Sequence, residues 1–143
     1  MIQRIQSVFL ALAAICTFAL FATDVAETAG PVPSSQVFED AHLTVFDSPL
    51  LIGGAAAVGL LTLVAIFLFG NRRLQRTMCT VAIILTVAYA AYGVLLWYND
   101  AAATQAEVEP GVALPLLAIL FAGLAGRYIT KDEKLVRSAD RLR

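Results

Sequence analysis

Gly70-Asn71-Arg72-Arg73-Leu74-Gln75-Arg76 decides how the chain is read. It is a short basic stretch with a long apolar run on either side. Of the 143 residues, 59% are hydrophobic and 15% are charged, against about 25% charged in an ordinary soluble domain. Mean hydropathy is +0.79. The apolar residues fall in four blocks at about 5–23, 50–69, 78–98 and 112–130. Each is close to the ~20 residues that carry a helix across about 30 Å of hydrocarbon. The expected fold is therefore all-α, a single membrane domain of four transmembrane helices. Its connections are expected to be outer loops at 24–49 and 99–111 and an inner loop at 70–77, with a helical tail at 131–143.

Charge gives the expected orientation. The ten Lys and Arg residues are Arg4, Arg72, Arg73, Arg76, Arg127, Lys131, Lys134, Arg137, Arg141 and Arg143, while eight of the eleven acids lie in the two outer loops, which hold no Lys or Arg. With four spans, every cation falls on one side. The excess of Lys and Arg in inner loops then predicts both termini in the cytoplasm and an inner-membrane location. Arg4, Arg72, Arg73, Arg76, Arg127 and Lys131 read as topology anchors, Arg127 snorkelling from the inner end of its span. This orientation accounts for the cations without nucleic acid.

The first block follows Arg4 and contains no charge. A basic start and an apolar core also describe a secretory signal. The apolar run is longer than such a core, no Ala-x-Ala follows Ala22, and Ile15 is too large for a lipoprotein box before Cys16, so a retained helix is expected. In the first outer loop, residues 37–46 suggest a small hairpin or, in competition, a short interfacial helix. Ser48 and Pro49 form a good start for the second helix, and Gly70-Asn71 a natural end.

Small residues recur four apart at Gly53/Ala57, Ala55/Gly59 and Ala118/Ala122/Gly126. Such faces let helix backbones approach closely in lipid, within the monomer or between copies. Tyr89 and Tyr92, one turn apart in the third block, need hydroxyl partners; a neighbouring helix is the plain reading, and a polar cavity or a lipid or quinone site the sharper one. Trp97-Tyr98 suits an interfacial aromatic belt. In the tail, Leu135, Ala139 and Leu142 share a helical face, and Glu133 to Arg137 is a supporting pair.

Chemistry is sparse. Cys16 and Cys79 should differ in depth by about 15 Å at the helical rise, which argues against a disulfide. His42 is the one histidine and sits in an acidic loop. Neither catalytic nor metal-ligand spacing is present, so no enzyme, cofactor or metal is expected. The reading is an accessory, scaffold or assembly subunit with a lipid bilayer and a membrane or cytoplasmic protein partner, or a homo-oligomer. A small oligomeric transporter or channel is the alternative, followed by an intramembrane redox or lipid-handling subunit.

Three stretches carry a resemblance: residues 1–7, MIQRIQS; residues 67–76, FLFGNRRLQR; and residues 131–143, KDEKLVRSADRLR. Together they resemble a family of small four-span bacterial membrane proteins, mainly from Bacteroidota, catalogued as domain of unknown function 4293. The resemblance implies an uncleaved N-terminus and carries no activity or site residues with it. The wording of residues 71–75 is more particular than charge requires. It predicts packing against Gln3-Arg4 or against the tail.

Overall fold

Four helices carry the structure, a computed structural model that describes residues 3–140: α1 (Gln3–Ala19), α2 (Pro49–Phe67), α3 (Arg72–Asn99) and α4 (Ala113–Asp140). All four are long and apolar enough to cross a membrane once the 3-10 extension at Leu20–Ala22 is added to α1. Helix α1 packs on α2 and α4, and α3 packs on the same two, giving a ring of antiparallel neighbours.

The buried positions explain the packing. They run Gln6, Leu10, Ala13, Thr17, Leu20 in α1; Leu51, Ala55, Val58, Thr62, Ala65 in α2; Gln75, Cys79, Ala82, Thr86, Tyr89 in α3; and Ala118, Ala122, Ala125, Ile129 in α4. Each series alternates steps of four and three, the spacing of knobs-into-holes packing. What fills it is unusual for a water-soluble bundle: mostly small residues and threonines. The large side chains Ile15, Leu60, Ile84, Val94, Leu95, Leu116 and Leu120 point outward and are exposed. Threonine hydroxyls inside the bundle donate to their own helix, Thr17 to the Ala13 carbonyl at 2.9 Å, Thr62 to Val58 at 2.9 Å and Thr86 to Ala82 at 2.7 Å. That satisfies a polar group where no water reaches.

These positions correct the expected small-residue faces. Ala118 and Ala122 are buried as expected, but the α4 face continues through Ala125, and Gly126 lies beside it. In α2 the inward pair is Ala55 and Gly59. A Cβ on Gly59 would lie 2.5 Å from the Phe18 ring. Gly53 is exposed with nothing within 4 Å of a built Cβ, and Ala57 is half-buried; the close contact belongs to Gly54, whose Cβ would meet that of Tyr89 at 2.8 Å. Gly54→Ala is therefore expected to cost about 1–2 kcal/mol through overpacking, whereas Gly53→Ala leaves stability unchanged or raises it through helix propensity. Detergent-titration midpoints of the two variants check this contrast.

The connections also differ from expectation. The turn between α2 and α3 ends at Asn71, and residues 72–77, expected in a loop, are already helical. Asn71 starts α3 rather than ending α2: its side-chain oxygen accepts from the Leu74 N–H at 3.1 Å. Ser48 caps α2 as expected, with Pro49 at the first helical position. The expected hairpin within 37–46 is replaced by longer-range pairing, and of the competing short helix there is a single 3-10 turn, Val45–Asp47. Strand β1 (Ala26–Glu27) lies between β2 (His42–Leu43) and β3 (Glu107–Val108), antiparallel to both. This small sheet joins the two acidic loops into one cap over a core of Ala26, Val37, Phe38, Leu43 and Ala102. Trp97 packs against that core and donates its ring N–H to the Ala103 carbonyl at 3.2 Å, while Tyr98 is exposed.

Asp100 ties the cap to the end of α3. Its carboxylate accepts from the Ser35 hydroxyl at 2.7 Å and from the backbone N–H groups of Gln36, Val37 and Ala102 at 3.1, 3.3 and 2.8 Å. Desolvation acts to raise its pKa, but these four hydrogen bonds outweigh it and hold the group below the ordinary carboxylate value. A lowered folded-state pKa means stability present above about pH 4 and lost as pH falls through the lower folded value. Trp97 fluorescence should report acid loosening of the cap below about pH 4, and Asp100→Asn should remove that component. An unchanged profile in the variant would assign the transition elsewhere.

Candidate functional site

The residues singled out by charge converge at one end of the bundle. Helix geometry puts Arg72, Arg73 and Arg76 on the first two turns of α3, beside the α4 extension. The Arg72 Nε donates to the Asp132 carboxylate at 2.8 Å, and an Arg76 guanidinium nitrogen donates to Glu133 at 3.4 Å. The first pair is the more buried, with side chains 29% and 14% exposed. Glu133 thus reaches across to α3; the expected Glu133–Arg137 pair falls on a side chain outside the described residues. Arg73, Arg127 and Lys131 are exposed at the same end. The Arg4 side chain and the expected face through Ala139 and Leu142 lie outside the described residues.

Below this charged layer sits a buried amide pair that the sequence reading missed. Gln6 and Gln75 are both fully buried. The Gln6 side-chain nitrogen donates to the Gln75 oxygen at 3.3 Å, and the Gln75 nitrogen donates to the Ala65 carbonyl at 2.8 Å. Ala65 lies in the last turns of α2, where carbonyls lack i+4 partners; its carbonyl also accepts from the Leu68 N–H at 3.3 Å. One glutamine therefore fastens the start of α3 to the end of α2 and to α1. The predicted packing of residues 71–75 is present on the tail side. Its tail contact is Arg72 to Asp132, and its N-terminal contact falls at Gln6; Gln3-Arg4 side chains lie outside the described residues. The available signal was the step of Gln6 and Gln75 onto the same four-three series as the core alanines.

Tyr92 and Tyr89 separate in role. The Tyr92 hydroxyl accepts from Ser48, the α2 cap, at 3.4 Å. Tyr89 is buried against Gly54, and its hydroxyl makes no well-aligned hydrogen bond, with Thr86 its nearby polar neighbour. The Tyr89 ring also borders a cavity of about 370 Å³ toward the acidic end, with walls that include Leu20, Leu51, Trp97 and Pro115. Its walls are almost wholly apolar. At the cap, His42 Nδ1 lies 3.0 Å from the Asp24 carboxylate, both side chains about 40% exposed. Cys16 and Cys79 are buried free thiols.

A family model described as "Domain of unknown function (DUF4293)" matches residues 2–142. The chain belongs to this family. The match spans essentially the whole chain, so the bundle, the acidic cap and the basic end all fall within one DUF4293 unit. No curated protein and no solved structure matches the chain. Within this DUF4293 chain, Arg72, Arg76, Asp132 and Glu133 form a clasp over Gln6 and Gln75 that joins different helices.

Proposed function

We propose that this protein is an inner-membrane, multi-pass, non-catalytic accessory, scaffold or assembly subunit with both termini in the cytoplasm. One observation carries the reading: helix faces of small residues in close contact beneath an apolar exterior. Gly54 against Tyr89 and Gly59 against Phe18 bring the helix surfaces together too closely for a Cβ at those two points. Small inward and large outward side chains suit a bundle held by van der Waals contact in lipid, where hydrophobicity does not drive helices together. The basic end, clasped by two ion pairs, suits the positive-inside orientation. A rigid bundle of this kind acts through its surfaces.

Co-purification in mild detergent, after in-cell crosslinking from the α2–α3 turn or the tail, tests the role. A stoichiometric protein partner is expected. A clean monomer or homodimer across several detergents counts against it. A periplasm-only reporter fused after Arg143 tests orientation independently; activity there overturns the inward placement of the C-terminus. The apolar cavity beside Tyr89 favours handling of an apolar or lipid-like molecule as the second reading. Substrate flux in proteoliposomes that is abolished by Tyr89→Phe or Tyr92→Phe would replace the accessory role with transport.

A further inference from the structure

A second cavity, of about 450 Å³, runs along the seam between α3 and α4 at the basic end. Its α3 wall is Arg76, Cys79, Thr80 and Ile83, one helical face. Arg127, Lys131 and Lys134 line it from α4, and none of its lining residues is acidic. Deeper in the seam the lining changes to Ile83, Ala122 and Gly123. From Arg76 to Ile83 the helical rise is about 10 Å. The groove thus has a cationic mouth and an apolar floor.

The mouth keeps its positive character after the neighbouring carboxylates are counted. Asp132 is turned to Arg72, outside the groove, and Glu133 engages Arg76 at 3.4 Å. Arg127, Lys131 and Lys134 are exposed at the rim. The two threonine hydroxyls give their protons to their own helices, Thr80 to the Arg76 carbonyl at 3.2 Å and Thr130 to Gly126 at 2.9 Å. Recognition therefore falls to the cations. At Gly123 a built Cβ meets nothing within 4 Å, so the floor is open where the backbone is bare.

We propose that this groove binds an anionic glycerophospholipid, its phosphate among Arg76, Arg127, Lys131 and Lys134 and an acyl chain along Ile83 and Gly123. A basic pocket between helices at the inner leaflet has the chemistry to hold such a headgroup. The apolar floor selects a lipid over a free phosphate ion, which would use the mouth alone. The inference rests on the membrane reading above, which alkaline washing of isolated membranes tests by itself. It does not rest on the accessory role.

The test is lipid retention by the full chain, purified, delipidated and given phosphatidylglycerol or phosphatidylcholine, and read by native mass spectrometry. Phosphatidylglycerol is expected to be retained at least tenfold better. Lys131→Gln and Lys134→Gln should each reduce its binding about fivefold. Gly123→Leu should reduce it without changing any charge, filling space that the fold leaves open. Arg73→Gln, outside the groove, should leave it unchanged, and circular dichroism should show equal helicity throughout. Equal retention of the two lipids, or full binding by the Gly123→Leu variant, overturns the site. Displacement of the lipid by millimolar inorganic phosphate assigns the mouth to a free anion and overturns the lipid.

Discussion

Gln75→Ala is expected to destabilise the bundle by about 2–4 kcal/mol. Two effects combine. The truncation leaves a void where a fully buried side chain stood, and it strands the Gln6 amide; the Ala65 carbonyl keeps only its bond from the Leu68 N–H at 3.3 Å. An unpaired buried polar group costs about 1–3 kcal/mol. Hydrogen bonds between helices in lipid are worth less than this on average, about 0.6 kcal/mol, so most of the loss comes from the void and the stranded amide. The Gln6 oxygen already lacks a hydrogen-bond partner. Replacing both glutamines with leucine should therefore recover most of the loss, since the mismatch between polar and apolar is then removed on both sides. Unfolding in mixed micelles, followed by circular dichroism, gives the single and double values and hence the coupling. A Gln75→Ala loss below about 1 kcal/mol would show that the glutamine pair does not fasten the helix ends.

Phe38→Ala is expected to unfold the acidic cap while leaving the four helices in place. Phe38 is fully buried, the largest side chain in the cluster with Ala26, Val37, Leu43 and Ala102. Loss of a buried phenylalanine costs about 3–5 kcal/mol. Three two-residue strands cannot absorb that, because isolated strands of this kind are marginal. Opening should be local, since the buried residues of the cap and of the helical core fall in different clusters, bridged by the partly buried Val25 and Leu96. Trp97 emission should shift to the red. The amide protons of Val25 and Thr28, bonded to the Leu43 and Ala41 carbonyls at 2.8 and 2.9 Å, should exchange faster. Retained helicity is part of the expectation; unchanged Trp97 emission and exchange would mean that the cap is held by something other than its apolar core.

These two results bear on different ends of the molecule, and the two ends were legible to different degrees. The four helices are written into the chain as blocks of uninterrupted apolar residues, because backbone polar groups away from water must be satisfied within the helix. The segregation of ten cations from eight acids is equally local information. Helix starts were readable where a side chain caps its own backbone, as at Ser48. Asn71 was assigned to the wrong helix because its side chain suits either an end or a start, and Leu74 N–H supplies the donor only once α3 forms.

The sequence by itself determined the all-helical class, the four helices long and apolar enough to cross a membrane and the separation of the charged ends. Only the tertiary structure decided which residues meet. Glycines one position apart illustrate the difference: Gly54 receives Tyr89 while Gly53 faces outward, because a rotation of about 100° per residue turns neighbours to different partners. Arg72 finds Asp132 sixty residues away, and Glu27 finds strand partners in both loops. Such pairings depend on how antiparallel helices align end to end. That alignment is set by packing of the small-residue faces over the whole length of the bundle, so no local stretch encodes it.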